Sequence, residues 1–385
     1  MRFEFATSAR IIFGQGSIRE VPALASSLGK TVLLLTGSNP ERASALITGL
    51  QESGIAVILF QVSEEPTTEI VIEGAGIAGR NRCDLVIGMG GGSVIDAGKA
   101  IAALITNRGD LFDYLEIIGK AQLVTNLPAP YIAIPTTAGT GTEVTKNAVI
   151  ISREHKVKVS MRSEMMLPKV VVVDPELTCS LPPDVTAHTG LDALTQLIEA
   201  FVSKKANPLT DSLCREGLRR AAGSLRRAYD EGNNVNARYD MCVASLFSGL
   251  ALANAGLGAV HGFAAPIGGS FRAPHGLVCA RLLPPAMESN MLALKERFPS
   301  SPALERYNDI ARILTNNNYA SSFDAIEWVK DLCSYFRIPT LSSIGMSSDD
   351  IPEVVQRAAK ASSMKGNPVE LTEAELSTIL KKALL

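Results

Sequence analysis

The chain has 385 residues, 46% of them apolar and 20% charged, enough for two domains with substantial cores. Lysine plus arginine (37) nearly balance aspartate plus glutamate (39), and a net charge of −2 argues against a nucleic-acid or acidic-membrane binder. No apolar run approaches the ~18 residues that span a bilayer, and the opening MRFEFATSAR lacks the layout of an export signal.

The first half alternates strands and helices. TVLLLT (31–36) is an apolar run that suits a strand buried on both faces. Pro40 fits the first turn of a helix over 40–53. IAVILFQV (55–62) reads as a second buried strand, followed by a helix over about 67–82. DLVIGMG (84–90) is a third strand and Ser93 to Ile105 a third helix; YIAIP (131–135) and KVVVVDP (169–175) are further strands. This alternation predicts a parallel sheet with right-handed crossovers, its ligand at the carboxyl ends of the strands.

After Leu181-Pro182-Pro183 no strand run recurs. Helices are predicted over about 184–203, 208–229, 237–255, 276–291, 302–315, 322–336, 349–363 and 372–383. GLG (256–258) and PIGG (266–269) punctuate them, and LKERFPSSPA (294–303) reads as an exposed loop. The expected domains are 1–182, α/β, and 183–385, all-helical. Cysteines 83, 179, 214, 242, 279 and 333 form no CxxC pair, which suits reduced thiols in a cytoplasmic protein, each a small core residue.

Two loops stand out. Gly88-Met89-Gly90-Gly91-Gly92-Ser93 follows a strand and opens a helix, where backbone amides and the helix dipole can meet a pyrophosphate. A glycine cluster also makes a plain tight turn; the strand–turn–helix context favours phosphate. Pro135 to Thr145 places five threonines and two glycines after the strand YIAI, offering hydroxyls and amides to phosphate or ribose.

Taken together, these residues resemble the iron-containing (group III) alcohol dehydrogenase family over nearly the whole chain. RIIFGQG (10–16) is similar to its N-terminal strand, and Gly90, Gly91, Gly92 and Ser93 with Asp96 and Lys99 to its GGGSxxDxxK motif. IPTTAGTGTEVT (134–145) resembles its second cofactor loop; LPP (181–183) with TGLDAL (189–194) resembles the start of its helical domain. GLGAVHGFAAPIGGSFRAPHG (256–276) resembles its histidine signature. The resemblance implies a Rossmann-like dinucleotide-binding domain and an all-α domain, the architecture shared with dehydroquinate synthase. It places the active site in the cleft between them and makes the chain a homodimer.

The resemblance also assigns residues. Members that use NAD commonly carry aspartate at the position of Gly37, where a carboxylate repels a 2′-phosphate. Gly37 removes that repulsion, Ser38 and Asn39 add neutral donors and Arg42 a nearby cation, so NADP(H) is expected in preference to NAD(H). Thr136, Thr137, Thr140, Asn147, Val149, Lys158 and Asp96 match further cofactor positions, and His275 matches a residue near the nicotinamide.

The family's metal ligands are one aspartate and three histidines. Asp192, His261 and His275 match three of them; the fourth position holds Gln196, in DALTQ where DALTH is common. Glutamine is a poorer donor than imidazole to Fe2+ or Zn2+. Three arrangements therefore stay open: a divalent metal on Asp192, His261 and His275 completed by Gln196 or water; one assisted by His188; or no tight metal, with His261 or His275 as electrophile. Ala265 stands where many members have a further histidine.

The implied activity is hydride transfer between a nicotinamide and a small alcohol or aldehyde, assisted by the metal, with His261 and His275 at the reacting centre. Leu252, Phe263, Met364 and Asn367 are placed near the substrate by position alone, and Arg272 keeps an anionic substrate open. A dehydroquinate-synthase-like lyase needs a cluster of basic residues, which is not evident. A non-catalytic nucleotide-binding protein is the remaining alternative, suggested by Gln196 and Ala265.

Overall fold

The computed structural model describes residues 2–271 and 273–385; Arg272 lies outside the described residues. The chain divides into a unit of Ala6–Ser180 and a unit built on Leu181–Leu385, which also takes in the N-terminal residues through Phe5.

In the first unit, six parallel strands form one sheet: β1 (Ile11–Phe13), β2 (Thr31–Thr36), β3 (Ala56–Gln61), β4 (Leu85–Gly90), β5 (Tyr131–Pro135) and β8 (Val170–Val173), in the order β1-β8-β5-β4-β2-β3. Helices α1 (Val21–Ser26), α2 (Ser44–Glu52), α3 (Thr68–Arg80), α4 (Gly92–Thr106) and α5 (Leu111–Tyr114) connect them. An antiparallel hairpin, β6 (Asn147–Ser152) and β7 (Val157–Arg162), stands apart from the sheet. Val32, Leu34, Ile87, Ile132, Ile134 and Val172 pack on Val21, Ala25, Leu46 and Leu50 of α1 and α2. Leu33 and Leu35 on the opposite face of β2 are equally buried, which is why TVLLLT has no polar alternation.

Two expectations for this unit change. IAVILFQV is not buried on both faces: β3 is the sheet's edge, paired only with β2, and Leu59 is 46% exposed. The stretch after Pro40 begins as a 3-10 turn over Pro40–Ala43, and α2 starts only at Ser44.

The second unit contains no strand among its described residues. Its helices are α6 (Pro183–Val202), α7 (Pro208–Asp230), α8 (Val235–Ala255), α9 (Ala259–Ser270), α10 (His275–Arg297), α11 (Pro302–Thr315), α12 (Ser322–Tyr335), α13 (Ile351–Ala359) and α14 (Glu373–Leu384). Here too the structure corrects the sequence reading. PIGG does not interrupt the chain: α9 runs through Pro266, and its buried face carries the segment as helix. LKERFPSSPA is mostly not a loop, since α10 continues to Arg297 and α11 begins at Pro302. No single helix among the described residues is long and apolar enough to cross a membrane.

Candidate functional site

The strand order locates a first candidate site, within the α/β unit. From β2 the chain crosses to β3 on one side, then returns to β4 on the other, so the winding reverses between β2 and β4. Open α/β sheets bind ligands outside the carboxyl ends of the strands at such a reversal. Thr36 pairs with Met89, which sets Gly37 beside Gly90. Gly91 precedes α4, whose first turn presents backbone amides. A Cβ at Gly92 would stand 2.9 Å from Thr140 Cγ2, and one at Gly91 3.3 Å from Thr137 Cγ2. The two loops singled out in the sequence therefore touch, and the glycines permit it.

Asp96 and Lys99 lie behind that turn. The Lys99 ammonium is fully buried, 2.9 Å from Asp96, and donates to the Thr142 hydroxyl (2.7 Å), Thr142 O (2.9 Å), Thr145 Oγ1 (3.0 Å) and Asn147 O. Asp96 accepts the Thr142 hydroxyl at 2.5 Å and the Val149 amide at 3.1 Å. Both side chains are thus spent on holding the threonine loop and the start of β6. Losing one partner of such a buried pair costs about 3–5 kcal/mol. Lys158 is paired with Glu65 at 2.7 Å. Arg42 donates to Leu177 O, and the Ser38 carbonyl accepts from Gln61. At Gly37 a Cβ would meet nothing nearer than Val94 Cγ2 at 4.0 Å, so the space beside it is open.

A second candidate site lies among the helices of the other unit. Asp192, Gln196 and Glu199 follow at i, i+4 and i+7 along one face of α6. His261 sits in the first turn of α9, and His275 opens α10 with Cys279 one turn on. Single ligand atoms of Asp192, His261, His275 and Cys279 all lie within 4.8 Å of one another. Asp192 is 3.3 Å from His261 Nε2 and 3.6 Å from His275 Nε2; Cys279 Sγ is 3.7 Å and 3.6 Å from the same two atoms. His275 is the member open to solvent, its side chain 33% exposed against 2% for Asp192.

This arrangement fits a divalent cation. Asp192 Oδ1 is buried and has no hydrogen-bond partner among the described residues. Glu199 lies 2.7 Å from His261 Nδ1 and accepts the hydrogen bond of that ring N–H, so in the neutral ring the Nε2 lone pair faces the Asp192 oxygen. Two acceptors face each other unless a positive charge stands between them. A proton serves one such pair; one metal ion serves all four groups. Burial alone would raise the Asp192 carboxyl; when His275 and His261 carry protons, their charge outweighs burial and holds it below the usual range.

The structure thus brings together three of the four expected ligands. Gln196 is adjacent but turned: its Oε1 meets the Ser248 hydroxyl at 2.7 Å, and its Nε2 donates to Asp192 Oδ2 at 3.2 Å. His188 stands outside the cluster, and His155 bonds Ser152 in the other unit. Asn367 caps α9 through the Ala259 amide, and Phe263 is fully buried; both build the core behind His261. Two site residues escaped the sequence reading. Cys279 reads in the sequence as a small core residue, although its spacing of four from His275 places both on one helix face. Glu199 gave a signal too, as an acid seven residues after Asp192.

Comparison with known proteins matches both halves. A family model described as "Iron-containing alcohol dehydrogenase" matches residues 8–175, and one described as "Fe-containing alcohol dehydrogenase family, C-terminal" matches 186–384. The chain is 35% identical over 394 residues to 1,3-propanediol dehydrogenase of Citrobacter freundii, covering 99% of this chain and 98% of that one. A crystal structure of 1,3-propanediol oxidoreductase is similar with a TM-score of 0.92 at 35% identity, covering 100% of both chains. Sulfoacetaldehyde reductase from Bifidobacterium kashiwanohense, solved in complex with NAD+, is similar with a TM-score of 0.86 at 28% identity, covering 100% of this chain and 99% of that one.

Proposed function

Because the chain belongs to the iron-containing alcohol dehydrogenase family, we propose that it passes a hydride between NADP(H) and a small aliphatic alcohol or aldehyde, using a divalent metal. That it is an oxidoreductase acting on CH–OH groups follows from the family itself. The observation that carries the metal reading is the orphaned Asp192 oxygen among His261, His275 and Cys279.

Each of the two candidate sites has its own task. The amides at the start of α4 and the hydroxyls of Thr137 and Thr140 hold the dinucleotide phosphates. The open space at Gly37, with no carboxylate, admits a 2′-phosphate; this supports NADP(H). Asp192, His261 and His275 hold the cation, which when bound supplies a Lewis acid for the substrate oxygen. Glu199 fixes the His261 tautomer, and Gln196 fixes the Asp192 carboxylate. His275, the exposed member, borders the substrate. The homodimer and the cytoplasmic setting belong to this proposal as well, resting on the family and on the cysteine pattern.

The test is oxidation of NADPH and NADH by anaerobically purified protein across a panel of short aldehydes, with metal content measured on the same sample. Metal-dependent turnover, faster with NADPH, is the expected result. Faster turnover with NADH overturns the NADP(H) assignment, and a failure to turn over any aldehyde or alcohol with either cofactor overturns the reading.

A further inference from the structure

We propose that Cys279, and not Gln196, supplies the fourth protein donor to the cation, and that the site consequently takes zinc in preference to ferrous iron. The inference rests on the metal reading above and adds the donor set and the identity of the ion.

The side chains at 196 and 279 have exchanged roles. Gln196 stands at the position of a ligand, but its carbonyl oxygen is engaged by Ser248, whose hydroxyl also lies 2.8 Å from Ser245 O. The end that faces the cluster is the amide nitrogen, a donor without a lone pair to give. It must face that way, since the Asp192 oxygen 3.2 Å from it only accepts. Gln196 therefore clamps the outer oxygen of Asp192 and leaves Oδ1 turned inward, without a hydrogen-bond partner among the described residues.

Cys279 fills the gap from another helix. Tetrahedral zinc, with Zn–N and Zn–O of about 2.0–2.2 Å and Zn–S of about 2.3 Å, sets donors about 3.4 Å apart for an oxygen–nitrogen edge and about 3.6 Å for a sulfur–nitrogen edge. Four of the six edges of such a site are 3.3 and 3.6 Å from Asp192 to the two rings, and 3.7 and 3.6 Å from Cys279 to the same rings, and the other two lie within 4.8 Å. All four match the figure for their atom types within about 0.2 Å. On binding, the thiol proton leaves to solvent as the sulfur–metal bond forms. A thiolate in the set favours zinc, whereas imidazole and carboxylate alone also suit iron.

Cobalt is the probe, because thiolate ligation gives Co2+ an intense near-ultraviolet charge-transfer band that nitrogen and oxygen donors do not. The metal-stripped full-length protein is loaded with one equivalent of Co2+. The expected result is that band in the parent and in Gln196→Ala, and its loss in Cys279→Ser with the melting temperature retained. In competition, Cys279→Ser binds zinc on the order of 100-fold more weakly, while ferrous iron binding changes less than tenfold. Stoichiometric cobalt with no such band in the parent overturns the inference without touching the dehydrogenase reading, even if the variant fails to fold. A band that survives in Cys279→Ser overturns it equally. No cobalt, zinc or iron binding overturns the metal reading as well.

Discussion

Glu199 serves His261 with both of its oxygens: Oε2 lies 2.7 Å from the ring Nδ1, and Oε1 accepts the amide of Val260, immediately before it, at 2.7 Å. One carboxylate on α6 thus caps the first turn of α9 and selects the tautomer of the ring that turn carries.

Replacing Glu199 by glutamine separates those two tasks. The amide oxygen still caps the Val260 amide, but the amide nitrogen now donates to Nδ1 and moves the ring proton to Nε2. Metal affinity is expected to fall about 10–100-fold, with a melting temperature close to the parent's. Competition against a chromophoric chelator measures it; unchanged affinity would show that the ring is oriented by something else.

Gly276 follows His275 on α10 and packs against the backbone of α6. A Cβ there would stand 2.1 Å from the backbone oxygen of His188, which cannot swing aside as a side chain does. Gly276→Ala is expected to cost about 1–3 kcal/mol of stability and to displace His275 and Cys279 from Asp192. Thermal unfolding together with bound metal after dialysis tests this. A parental melting temperature with full metal retention contradicts it.

Gly37→Asp puts a carboxylate where the end of β2 leaves open space. No steric cost is expected, since the nearest atom to its Cβ is Val94 Cγ2 at 4.0 Å. Repulsion of a 2′-phosphate should raise KM for NADPH by roughly tenfold, about 1.4 kcal/mol, and leave KM for NADH unchanged or lower. Equal effects on both cofactors would move the 2′-phosphate elsewhere.

Glu143 gives the first unit a pH dependence. Burial pushes its carboxyl from 4.5 up to about 7, only partly offset by a backbone hydrogen bond and Lys99. Between those two values the folded chain holds a proton that the unfolded chain has lost, so stability falls as pH rises. Above about 7 the whole cost is present, at most about 3 kcal/mol. Glu143→Gln keeps the neutral shape, so its melting temperature should match the parent's near pH 5 and exceed it at pH 8. A gap independent of pH would show that Glu143 is charged, or neutral, throughout.

Much of this was legible in the chain itself. TVLLLT, LVIGMG and YIAIP are apolar without alternation because their strands are buried on both faces, and glycine must open α4 where Thr140 closes on Gly92. Asp192, His261 and His275 could be read from their motifs. Helix α9 could not, because Gly258, Pro266 and Gly268 are local breakers, and only packing holds that segment helical.

What the sequence alone determined is the order of elements, the family, and Asp192 with the two histidines beside it, since these follow from local periodicity and motif spacing. The tertiary structure decided the direction in which each side chain is spent. Lys99 turned inward to the threonine loop, Gln196 was taken by Ser248, and Cys279 was carried to the histidines by a helix distant in the chain from Asp192. Hydrogen-bond donors and acceptors are satisfied by neighbours in space, and a one-dimensional pattern does not say which neighbour reaches them first.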